Sequence, residues 1–118
     1  MLGGRPYKFA DCLDLCRRMR PDRVRLELLS SEVPREHEPL TQFMAVIEWT
    51  FAGCTIRTET VCGSAVAMDA PESYARSAGT ANRRLEGFLR QIGELGAQVD
   101  RRELRFELTP AETHAAAL

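Results

Sequence analysis

Apolar and polar positions alternate with two different periods along this 118-residue chain, and the changes of period divide it into elements. Over residues 7–20, Phe9, Cys12, Leu13 and Cys16 recur at i, i+3, i+4 and i+7. That spacing predicts a helix with a single apolar stripe. Arg17, Arg18 and Arg20 fall where a helix dipole favours cations, and Pro21 ends the run. From residue 23 the period drops to two. Val24, Leu26 and Leu28 alternate with Arg23, Arg25 and Glu27, which predicts a half-buried strand over residues 23–33. The charged segment P-R-E-H-E-P, residues 34–39, is a loop bracketed by prolines.

Residues 42–63 predict a β-hairpin turning at Ala52-Gly53. With Phe51 facing Cys54, one face pairs Trp49 with Ile56, Ile47 with Thr58, Ala45 with Thr60 and Phe43 with Cys62. The other pairs Glu48 with Arg57 and Thr50 with Thr55. A long helix is expected over residues 70–95. Tyr74, Ala78, Ala81, Leu85, Phe88, Ile92 and Leu95 form one seam, Asp69 and Glu72 have capping-box spacing, Pro71 suits the first turn, and Gly96 stops the helix. A last strand is expected over residues 102–108, with Leu104, Phe106 and Leu108 on one face. T-P-A-E at residues 109–112 then reads as the start of a short helix.

The predicted order is helix, three strands, helix, strand, short helix. It implies a single α+β domain: a two-layer sandwich with an antiparallel sheet of about four strands and helices on one face. The other sheet face is charged and threonine-rich, so it should meet water or a polar partner. The α-β-β-β-α order resembles that of double-stranded-RNA-binding domains in topology alone. Their basic cluster at the start of the second helix is replaced here by P-E-S-Y-A-R, with Glu72 and a lone Arg76, and the family is not assigned.

Composition narrows the function classes. The chain is 44% hydrophobic and 28% charged, which is globular, and no apolar run reaches the roughly 20 residues of a membrane span. Its beginning, M-L-G-G-R-P-Y-K, has no apolar signal segment, so the protein is expected in the cytoplasm. Sixteen basic residues against 17 acidic give a net charge of −1, spread without a basic block, which counts against nucleic acid as the main partner. Fifteen of the basic residues are arginine, a bias that reflects base composition more than phosphate affinity.

Four cysteines invite a metal reading, but their spacing does not support it. Cys12 and Cys16 are C-x₃-C inside a helical pattern. Cys54 and Cys62 lie about 27 Å apart along an extended strand, too far to share one ion. All four fall on apolar faces, so they are expected to pack in the core on one side of the sheet, with no metal and no cofactor.

His37, between Glu36 and Glu38, is a candidate pH-sensitive loop residue, and the plainer reading is an exposed histidine in a charged loop. Arg76, Arg83 and Arg90 recur at heptad spacing on the helix face away from the seam, beside Gly79 and Gly87. They are candidates for anion or partner contact, against the plainer reading of a solvated arginine face. The glycines invite a close-approach explanation, since each weakens a helix by about 1 kcal/mol against alanine.

No P-loop, dinucleotide-binding, zinc-protease or nucleophile-elbow motif is present. The sequence therefore points to a small, cytoplasmic, non-enzymatic binding or assembly protein without cofactor. A homodimer is expected, because a small sheet has at least one edge to pair or protect. One alternative is nucleic-acid contact through Arg76, Arg83 and Arg90. The other is a small-ligand site or enzyme pocket between sheet and helices near Trp49, Cys54 or Cys62.

Overall fold

The computed structural model describes residues 7–34, 39–66, 70–100 and 104–109. Helix α1, Phe9–Arg18, starts where the Asp11 carboxylate accepts the Lys8 amide at 2.8 Å, and it buries Cys12, Leu13 and Cys16. Strand β1, Arg23–Val33, alternates as its sequence pattern requires, with Val24 and Leu26 buried and Arg23, Arg25 and Glu27 exposed. Strands β2, Leu40–Phe51, and β3, Cys54–Val66, form the long hairpin. Its turn places Ala52 at φ 48° and Gly53 at φ 84°. Two successive left-handed residues are the signature of the hairpin turn whose twist matches that of its strands. Glycine adopts that conformation freely, whereas alanine does so at a cost of about 1 kcal/mol.

The hairpin register follows the expected pairs from Phe51↔Cys54 through Ala45↔Thr60. It departs at the far end. A bulge places Met44 opposite Val61 and Phe43 opposite Gly63, so Cys62 is the extra residue and the expected Phe43–Cys62 pair is not formed. Glycine beside the bulge lets the next helix come close. A Cβ on Gly63 would lie 3.5 Å from the Ala81 Cβ.

Helix α2, Pro71–Glu94, carries Pro71 in its first turn. Its cap is Ala70, which offers no side-chain oxygen, and the Ala70 carbonyl accepts the Ser73 and Tyr74 amides. The expected cap Asp69 lies outside the described residues. Tyr74, Ala78, Ala81, Leu85 and Ile92 are buried along the predicted seam.

The last strand is a correction. Strand β4 is only Val99–Asp100, and it runs parallel to β1, pairing Val24 with Val99, so the sheet is mixed in the order β3-β2-β1-β4. Residues 104–107 form no strand. Instead Asn82 of α2 holds both backbone groups of Phe106. Its Oδ1 accepts the Phe106 amide at 2.6 Å and its Nδ2 donates to the Phe106 carbonyl at 3.1 Å. Those two bonds stand in for a strand neighbour, and the Phe106 ring enters the core against Phe43, 5.2 Å between centroids. Leu108, expected on the buried face, is exposed. The expected final helix lies outside the described residues.

The result is the expected two-layer α+β arrangement, with both helices on one sheet face. Trp49, Phe43, Ile47, Leu85 and Ile92 are its largest wholly buried side chains. The Trp49 Nε1 donates to Thr58 Oγ1 at 2.9 Å, which satisfies a buried indole without water. Among the described residues, no helix is long and apolar enough to cross a membrane.

Candidate functional site

The helix-free face of the sheet is built from alternate residues of three strands, and cross-strand register arranges them in rows. Arg25, Glu48 and Arg57 make one row, and Glu27, Val46 and Glu59 the next. Then come Leu29, Met44 and Val61, of which Leu29 and Val61 are 37% and 46% exposed. Arg25 approaches Glu48 at 4.0 Å and Arg57 approaches Glu59 at 3.3 Å, all with exposed side chains. The face is thus a mixed-charge field crossed by an apolar row, exposed at Leu29 and Val61 and half-buried at Met44.

Among the described residues, β3 lies at the edge of this sheet, paired to β2 alone. In a two-residue hairpin the closing pair, here Phe51 and Cys54, exchanges backbone bonds, and bonded pairs alternate from there. Thr50 then points its carbonyl away from β3, and this carbonyl does accept the Asp22 amide from the other side at 2.7 Å. By the same alternation Thr55, Arg57, Glu59 and Val61 turn their amides and carbonyls outward. All four are exposed. The bulge interrupts this row, and there the Arg84 guanidinium reaches the Cys62 carbonyl at 3.4 Å; beyond it β3 continues to Val66.

Arg76, Arg83 and Arg90 are exposed along α2. Arg83 donates to Thr80 Oγ1 at 3.0 Å, and that hydroxyl donates to the Arg76 carbonyl at 3.1 Å. Close approach does not account for the neighbouring glycines among the described residues. A Cβ on Gly87 would meet nothing within 4 Å, and one on Gly79 only the Arg83 guanidinium at 3.8 Å. His37 lies outside the described residues.

Trp49 and Cys62 are wholly buried and line neither of two shallow clefts on the surface. One cleft, about 260 Å³, opens between the α1–β1 and α2–β4 connections, where Arg20 donates to the Gly96 carbonyl at 3.1 Å. The other, about 220 Å³, is lined by Tyr7, Asp11, Asp14, Leu15 and Arg18.

Three cysteines are core residues as expected, and Cys54 is not: it is exposed. Its register points inward, but it sits at the hairpin tip on the edge strand, where inward register alone does not bury a side chain. Burial pushes the Cys12 thiol up to about 12, with Cys16 and Asp11 adding to the effect, and pushes Cys62 up to about 11. Cys16 is raised for the same first reason. These thiols stay protonated near neutrality and are poor nucleophiles. No cluster of three potential metal ligands occurs among the described residues.

Comparison with known families, curated proteins and solved structures finds no match for the chain. Function must therefore be argued from the surface itself. Sequence reasoning singled out the α2 arginines and overlooked the edge residues, although the signal was present. T-I-R-T-E-T-V, residues 55–61, is nearly symmetric in chemistry about Thr58, with β-branched residues outside and opposite charges inside.

Proposed function

We propose that the chain is a non-enzymatic assembly protein that works as a homodimer, in a reducing compartment that suits its free thiols. The observation that carries this reading is the edge of β3, where Thr55, Arg57, Glu59 and Val61 turn backbone groups outward with no neighbouring strand among the described residues. Natural sheets pair, cover or charge such edges; this long one carries Arg57 and Glu59, and no described strand lies beside it. The apolar row beside it, with Leu29 and Val61 exposed and Met44 half-buried between them, supports a surface made for contact with protein. Sedimentation velocity of the full chain at tens of micromolar, within the range of transient interfaces, should give the mass of a dimer. A monomer under those conditions overturns the reading.

A second reading, contact with a polyanion through Arg76, Arg83 and Arg90, is favoured by their common exposure on one helix and by the Thr80 hydroxyl that supports Arg83. Salt-dependent retention on heparin would support it.

A further inference from the structure

The proposed dimer can be given a register, because the open edge is symmetric in two independent ways. The first is the backbone. Between the hairpin turn and the bulge, outward amides and carbonyls sit at Thr55, Arg57, Glu59 and Val61, a set centred on Thr58. An antiparallel neighbour forms bonded pairs only where outward residues of both strands face each other. Two copies related by an axis at Thr58 bring Thr55 opposite Val61 and Arg57 opposite Glu59, each twice. All four outward positions are used, in about eight backbone bonds.

The second symmetry is charge. Moving the axis to Arg57 sets arginine against arginine, and moving it to Glu59 sets glutamate against glutamate. Both are destabilising when directly opposed, and both shorten the ladder. An axis at Thr58 makes each central pair an arginine and a glutamate. Backbone and side chains thus select the same register. We infer that a second copy of this chain pairs antiparallel along β3, Thr58 beside Thr58, so that Arg57 faces Glu59 of the partner subunit. This inference rests on the homodimeric reading above and goes beyond it by naming the surface and the register.

The rest of the fold is compatible with this pairing. A two-fold axis normal to the sheet keeps the helices of both copies on one side and both mixed-charge faces on the other. α2 touches β3 closely at Gly63, against Ala81, and Phe88 farther along α2 stacks on Phe9, itself against Trp49 of β2. In the paired register the two Gly63 contacts lie ten residues apart, about 33 Å along the strands. The bulge at Cys62, with its carbonyl taken by Arg84, ends the ladder beyond Val61. The contact is isologous, so it closes at two copies and does not propagate along this edge.

The test uses the intact chain. In the wild-type dimer, exchange of the Thr55, Arg57, Glu59 and Val61 amides with deuterated solvent should slow at least about tenfold on concentrating through the dimerisation range. Arg57→Glu and Glu59→Arg should each weaken the dimer on the order of tenfold, since each sets two like-charged pairs face to face, and the double exchange R57E/E59R should restore it. Glu59→Pro should fold, because its outward N–H is not used by β2, and should be monomeric. Circular dichroism confirms that each variant is folded. A wild-type monomer overturns both this inference and the homodimeric reading. A wild-type dimer with those amides unprotected and no rescue in the double variant overturns the edge register and leaves the homodimer standing.

Discussion

Cys12, Cys16 and Cys62 sit inside the sandwich as small apolar side chains, and their ionisation is opposed by the cost of charging a thiol away from water. The fourth, Cys54, is exposed at the hairpin tip. In the native protein iodoacetamide at about pH 8 should label Cys54 alone, and the other three should react only on unfolding. Mass spectrometry of peptides after a timed pulse checks this, and early labelling of Cys12 would mean that α1 is not docked as described. The same burial carries a pH dependence. The folded thiols of Cys12 and Cys62 lie at about 12 and about 11 against a normal 9.0, so the unfolded chain releases these protons first. Fewer protons are then bound in the unfolded state, and stability falls as pH rises. Their contribution is whole below 9.0 and is lost as pH climbs through about 11 and about 12. Thermal unfolding measured from about pH 8 to about pH 11 should show a falling midpoint, with a shallower fall in Cys12→Ala.

At the level of elements, period was a reliable guide wherever one face of an element is buried by its neighbours. The α1 stripe, the alternation of β1 and the hairpin register from Phe51↔Cys54 to Ala45↔Thr60 all follow from local spacing. It failed where a contact distant in sequence overrode the local pattern. Leu104, Phe106 and Leu108 alternate like a strand, yet the Asn82 amide captures the backbone at Phe106 and leaves Leu108 in solvent. Nothing near residue 106 in the sequence announces an asparagine 24 residues earlier as its partner. The bulge at Cys62 is equally invisible to a period-two pattern, because it depends on how closely Ala81 must approach Gly63. The edge residues were legible as a symmetric heptapeptide, but only the strand order shows that they lie at an edge.

Asn82→Ala should therefore cost about 1–3 kcal/mol, the price of leaving two partly buried backbone groups without their partner. Phe106→Ala should cost about 3–5 kcal/mol through loss of a buried ring. Both act on one contact, so urea denaturation of the double variant should show less than the sum. Strict additivity would mean that the side-chain clamp and the ring are energetically separate.

Across the whole molecule the charge is nearly balanced, at −1, and its placement decides between the two readings of the surface. Arg76, Arg83 and Arg90 run about 21 Å along α2 at the usual helical rise. Three charges on that length neutralise few phosphates, and counterion release from so few contacts gives weak binding that modest salt already displaces. In the proposed β3 pairing, by contrast, most of the attraction would come from backbone bonds and apolar side chains, with the Arg57–Glu59 pairs selecting register more than supplying strength. Salt therefore separates the two. Raising it from about 0.05 M to about 0.5 M screens exposed charges within a few ångströms and should weaken the dimer only several-fold. Under the assembly reading the wild type should leave heparin below about 0.15 M salt, a strength at which exposed charges more than about 8 Å apart are already screened. Replacing all three arginines with glutamine should leave the sedimenting mass unchanged. Retention that persists above about 0.3 M salt and disappears in the triple variant would assign the working surface to α2, because only a larger set of phosphate contacts survives that much competing salt.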